Sequence, residues 1–155
     1  MKLVQYPNPI LLAKCDLITK EDDVESLVAD MTKIMIENRG VGIAANQLGI
    51  SKQLFLVTLE KGQIFPFINP SILYSHGSVL DKEGCLSLKG IFLDVIRPDQ
   101  ITVEYDDANF ERKQAVLYGK EARIFQHEYE HITQKFFLDN VSRQVRRQIL
   151  RELKK

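Results

Sequence analysis

The chain has 155 residues, 45% hydrophobic and 27% charged, with 21 basic side chains balancing 21 acidic ones. This length suits one domain that buries roughly 70% of its unfolded surface without staples, and the ordinary composition excludes disordered and fibrous architectures. Charge is unevenly placed: residues 141–155 hold six basic side chains against one acid, leaving 15 basic and 20 acidic elsewhere, so the chain is no wholly basic nucleic-acid binder and no specific DNA contact is expected.

The N-terminal stretch MKLVQYPNPILLAKCD has prolines where a signal peptide needs an unbroken apolar run. No segment approaches the ~18 apolar residues of a membrane span. A cytoplasmic protein is expected, or an organellar one after removal of a transit peptide, without membrane association. Cys15 and Cys85 are too few for a disulfide framework, and by count each reads as a small buried hydrophobe.

Thr19 to Asp22 reads as a capping-box variant opening an amphipathic helix over about 20–38. Val24, Leu27, Val28, Met31, Ile34 and Met35 keep helical spacing until Asn38-Arg39-Gly40, where glycine stops it. QLFLVTL, IFPFINP and SILYS follow as three short strands, rich in β-branched or aromatic residues. QITVEYDD and RKQAVLYG flank Ala108-Asn109 as a hairpin. A helix is expected over Lys120 to Thr133, and a last one over about 141–154, with Val141, Val145, Ile149 and Leu153 striped beneath arginines. Local strands closed by helices, without a strand-helix-strand rhythm, predict an α+β fold in a single domain spanning 1–155.

Phe125 to Gln134, FQHEYEHITQ, holds two of the three histidines. In a helix His127 and His131 lie only ~40° apart around the axis and ~6 Å apart along it, so both can ligate one ion. Glu128 falls beside that ion, where it can take a proton from water. A solvated Glu-rich helix produces the same pattern, so a third ligand decides between the two readings. Cys85, in KEGCLSLKG between glycines, is either a thiolate ligand suited to zinc or ferrous iron or a small residue in a turn. His76 and Cys15 read as surface loop and buried filler. GVGIAA in GVGIAANQLGI satisfies the glycine pattern of dinucleotide sites, but a helix precedes it and a strand follows, the reverse of what that fingerprint requires. Gln47, in this Gly/Ala-walled loop, can donate to a developing oxyanion.

Together GVGIAANQ (Gly40 to Gln47), EGCLS (Glu83 to Ser87) and QHEYEH (Gln126 to His131) resemble, in order and spacing, the hallmark motifs of the peptide deformylases. YPNPIL, INP at Ile68 to Pro70, RP at Arg97-Pro98 and FFLD at Phe136 to Asp139 extend the resemblance over most of the chain. It implies a catalytic domain of short antiparallel sheets around a central H-E-x-x-H helix, with an N-terminal amphipathic helix and a short C-terminal one. The implied activity is metal-dependent removal of the N-formyl group from the initiating methionine of new polypeptides. Cys85, His127 and His131 become ligands of one divalent ion per chain, ferrous iron natively, with zinc, nickel or cobalt also fitting. Glu128 becomes the general base and acid, and Gln47 and the Leu86 N–H form the oxyanion hole. Val41, Gly84, Ile124 and His127 wall a methionine pocket, backbone groups of Gly42 and Glu83 pair with the extended peptide, and Glu130 and Arg97 stand behind the ligands.

Five positions depart from the family pattern. Glu130 replaces aspartate, Gln134 replaces a glycine, Lys89 stands where many members have proline, and Lys120 and Arg123 occupy positions that in many bacterial members are apolar and border the methionine pocket. The basic tail resembles the family's ribosome-docking helix and equally fits a solvated face. The implied partners are formylmethionyl peptides and the ribosome, and a monomer is expected. Two other readings stand beside the enzyme: a catalytically silent peptide- or ribosome-binding relative with a structural metal, and a general endopeptidase using H-E-x-x-H.

Overall fold

The computed structural model describes residues 1–154. Its first helix, α1, spans Val24–Glu37. The expected start at residue 20 is four residues early, because Asp22 closes a turn by accepting from the Thr19 N–H, leaving Asp23 as the cap that accepts from Ser26. Met31 and Met35 are its fully buried residues. Arg39, rather than the expected Gly40, takes the left-handed backbone conformation after the helix. Gly40 answers a different need, since a Cβ there would lie 2.6 Å from Leu86 Cδ1.

Five strands make one antiparallel sheet in the order β1-β2-β3-β6-β7, comprising β1 (Gly42–Ala44), β2 (Leu54–Thr58), β3 (Ile64–His76), β6 (Gln100–Asp106) and β7 (Arg112–Tyr118). The two strands expected over IFPFINP and SILYS are the single long β3, whose pairing with β6 shifts register between Ile68 and Ser71. Asn69, at φ 49°, and Pro70 sit at that irregularity, so the turn chemistry that suggested a break bends the strand instead.

A separate two-stranded sheet joins β4 (Val79–Cys85) to β5 (Leu88–Arg97). No strand was expected here, because Asp, Lys, Glu and Gly interrupt the apolar alternation that marks strands.

Helix α2 (Gly119–Ile132) packs on the large sheet, chiefly β1 and β2, and reaches the small sheet through Arg123. Phe125 enters the main core edge-on to Phe55 and Phe67, at ring separations of 4.8 and 4.9 Å. Its other face buries Gln126, His127, Glu128, Glu130 and His131, an unusual density of polar groups that must be satisfied internally.

The last helix, α3 (Arg143–Leu153), begins after Ser142, which caps Val145. Its apolar stripe is shallower than expected: Ile149 is buried, while Val145 and Leu153 remain 40% and 44% exposed. Ile149 joins Leu93, Val95 and Phe136 to Leu138 in the core under β5. Lys155, the last residue of the basic tail, lies outside the described residues. Among the described residues no helix is long and apolar enough to cross a membrane.

Candidate active site

Between β1, β4 and α2 lies a cleft of about 580 Å³. β1 is the outer strand of the large sheet and β4 belongs to a sheet of only two, so each brings an unpaired edge to this space. Cys85 closes β4 just before the Leu86-Ser87 turn, which turns its sulfur toward α2. One helical turn separates His127 from His131, and their rings pack 5.2 Å apart. Cys85 Sγ lies 3.4 Å from His131 Nε2, and the ligand atoms of all three residues lie within 4.8 Å of one another.

The electrostatics suit a cation. Burial pushes the pKa of His131 well below the usual range, aided by the charges of His127 and Arg97, so it presents a neutral imidazole. Burial also works against a charged His127, but hydrogen bonds with Cys85 and Glu83 and the charge of Glu128 drive its pKa well above the usual range. Anionic neighbours that attract a proton so strongly attract a cation for the same reason. Glu128 Oε1 is buried without a hydrogen-bond partner and lies 3.9 Å from His131 Nε2. A sulfur and two imidazoles beside an unsatisfied carboxylate fit a divalent transition ion with a water next to Glu128.

Burial raises the Glu128 pKa to about 7; His127 pulls against this and Glu83 adds to it. A carboxyl poised near neutrality can both accept and return a proton. Gly42 makes room for it: a Cβ at that position would stand 2.7 Å from Glu128 Oε2 and 2.8 Å from Ile124 Cγ2. Gln47 is buried, with Oε1 accepting from the Ala44 N–H at 2.8 Å and Nε2 lying 3.1 Å from Ser87 Oγ and 3.7 Å from Cys85 Sγ. Its amide is therefore fixed beside the sulfur.

A sequence profile described as Polypeptide deformylase matches residues 1–147. The chain belongs to the polypeptide deformylase family. It is 37% identical to a peptide deformylase of Chlorobaculum tepidum, over 96% of this chain and 83% of that one. Against the chloroplastic peptide deformylase 1B of Oryza sativa it is 33% identical, over 99% of this chain but only 60% of the rice protein. Structural likeness is as close: peptide deformylase 1B of Arabidopsis thaliana, in complex with an inhibitor, superposes at TM-score 0.91 with 36% identity, over 99% of this chain and 88% of that one. The Ehrlichia chaffeensis deformylase superposes at 0.92 with 30% identity, over 99% and 94%. The family is one of metal-dependent hydrolases, and the α+β class expected from the sequence is that of these relatives.

In this deformylase-family chain the expected site residues converge. Val41, Gly42, Gln47, Glu83 to Leu86, Ile124, His127 and Glu128 all line the cleft, with His131 against Cys85. Lys120, expected at the methionine pocket, does not line it. Arg123 does, but its guanidinium turns into a buried network of which the sequence offered only Arg97 and Glu130. Glu83 Oε1 lies 3.0 Å from His127 Nδ1, and Glu83 Oε2 accepts from Arg97 Nε and Arg123 Nη1, both at 2.5 Å. Arg123 also donates to the Val95 and Val79 carbonyls, at 3.0 and 2.7 Å, tying α2 to both strands of the small sheet. Burial alone would raise the Glu83 pKa, but hydrogen bonds from Arg97 and His127 outweigh it and hold it at about 2. Glu130 accepts from Arg97 at 2.8 Å and from Asn140 at 3.0 Å, so it reaches His127 only through Arg97 and Glu83. Glu83 was expected to contribute backbone groups alone. Its side chain orients a histidine, and no one-dimensional signal links Glu83, Arg97, Arg123 and His127.

Proposed function

We propose that the chain hydrolyses the N-formyl group from the N-terminal methionine of new polypeptides, releasing formate. The observation that carries this is the meeting of Cys85, His127 and His131 beside the buried, unpartnered oxygen of Glu128. The three side chains hold one divalent ion, ferrous iron natively by likeness to the family, with zinc, nickel or cobalt suited to the same donors. When bound, that ion supplies Lewis acidity to the carbonyl and makes water a stronger acid.

Around it the residues have distinct tasks. Glu128 takes the proton of the attacking water and returns it to the leaving nitrogen. Gln47 Nε2, already close to Cys85 Sγ, and the Leu86 N–H donate to the oxygen as charge develops on it. Glu83 fixes the His127 ring through Nδ1, and Arg97, itself bound by Glu130, holds Glu83 in turn. The substrate backbone extends as an added strand between the free edges of β1 and β4, pairing with Gly42 and Glu83. Its methionine side chain enters the pocket walled by Val41, Gly84, Ile124 and His127.

The whole of 1–155 acts as one catalytic domain and as a monomer, in bacterial-type cytoplasm or in an organelle, without membrane or specific DNA contact. Arg143, Arg146, Arg147 and Arg151 on α3 suit contact with ribosomal phosphate, although Arg146 is paired with Asp139 while the other three are exposed. Formate release from a formyl-methionyl tripeptide tests the activity. Glu128→Ala should lower it by about a hundred- to ten-thousandfold, chelation should abolish it, and ferrous or nickel ion should restore the chelated enzyme. Metal-loaded protein that binds such a peptide yet releases no formate overturns the reading in favour of a silent relative. Casein cleavage would point instead to an endopeptidase.

A further inference from the structure

The cleft is basic at its mouth on a body that is otherwise acidic. Arg39, Lys82 and Lys89 line it and are exposed, whereas residues 1–140 carry 15 basic and 20 acidic side chains. Among the described residues none of the three sits at salt-bridge distance from a carboxylate. Asp94 stands in register opposite Lys82 on β5 and still makes no ion pair with it. Lys89 Nζ instead donates to Asn38 Oδ1 at 3.3 Å, on the residue that precedes Arg39 in the chain. The acids in the cleft do not cancel this set: Glu83 is bound by Arg97 and Arg123, and Glu128 lies buried at the reacting end.

We infer that Arg39, Lys82 and Lys89 select peptides with an acidic side chain at the first or second position after the formylated methionine. The inference rests on the deformylase reading and adds to it a chemical class of substrate. Its geometry follows from β4. Cys85 holds the reacting end, the Glu83 backbone pairs with the peptide, and Lys82 is the next residue along that edge. An extended peptide advances about 3.3 Å per residue, so its second and third residues reach Lys82 as soon as they leave the pocket. Arg39 precedes the Gly40 to Gly42 stretch that leads into the opposite edge, β1. Concave charge of one sign also concentrates oppositely charged ligands.

The test compares formyl-Met-Asp-Glu, formyl-Met-Ala-Ser and formyl-Met-Lys-Lys peptides. At 20 mM salt the parent should show kcat/KM about fivefold higher for the acidic than for the lysine peptide, the scale of a rim ion pair, falling below about twofold at 1 M salt. The ratio should invert in the Lys82→Glu, Arg39→Glu double variant. Because it is taken within one protein, loss of folding or metal cancels. Equal rates, a preference for lysine, or a ratio untouched by salt and charge reversal overturns the inference. Absence of formate from the neutral peptide in the parent instead sinks the activity reading. In that event Kd values for the deformylated peptides still decide the charge preference, equal values overturning it.

Discussion

Gly42→Ala isolates the Glu128 carboxylate by adding one methyl group. Its Cβ would lie 2.7 Å from Glu128 Oε2 and 2.8 Å from Ile124 Cγ2. Ordinary carbon–oxygen contact begins near 3.4 Å, so the carboxylate must move by about 0.7 Å. Glu128 is only 4% exposed and has little room to move without turning its oxygens away from the ligand triad. The backbone at Gly42 is not left-handed, so alanine adds no conformational strain. Overpacking should cost about 1–3 kcal/mol of stability and leave the fold intact. Displacement of a catalytic group by about 1 Å costs on the order of a hundredfold, and the full value of a general acid–base is roughly a hundred- to ten-thousandfold. We expect kcat for formate release to fall about a hundredfold, with bound metal unchanged because the three ligands are untouched. In a Glu128→Ala background the same substitution should add little, since both act on one group. A Gly42→Ala enzyme that retains kcat within twofold would refute the role assigned to Glu128, and so would full additivity with Glu128→Ala.

Arg123→Met removes a buried guanidinium that serves Glu83 and two backbone carbonyls. Because Arg97 still holds Glu83, the loss should sit near the low end for a broken buried pair, about 3 kcal/mol, or about 10 °C in thermal melting; an unchanged melt refutes the staple. Stripping metal with a chelator should expose Cys85 to iodoacetamide and zinc should protect it, as read by peptide mass spectrometry; equal labelling in both states would remove the sulfur from the metal site. Cys15 is 3% exposed, and burial, with help from Asp16, raises its pKa to about 11. It should label only on unfolding. Because the folded thiol keeps its proton up to about 11 against 9.0 for the ordinary group, its share of stability is intact below pH 9.0 and lost as pH rises through 11. Chemical denaturation across that range should therefore show an alkaline decline that is shallower in Cys15→Ala.

Much of the site is visible in one dimension because helical periodicity alone places His127, Glu128 and His131 on adjoining faces, and short motifs around Gln47 and Cys85 carry the family resemblance. The central helix and the β6–β7 hairpin are similarly local. Only tertiary structure decided how strands β4 and β5 form despite their charged and glycine residues, because their pairing is sustained by the core beneath β5 and by Arg123 across to α2. It also decided that Glu83, 44 positions from His127, orients that ring while two arginines hold its carboxylate. Local sequence encodes torsions and periodic faces, whereas a buried charge network exists only once distant segments share one low-dielectric space. That is why the ligands could be read from the chain, and Arg97 and Glu130 behind them from family resemblance, whereas the aiming carboxylate of Glu83 and its partner Arg123 could not.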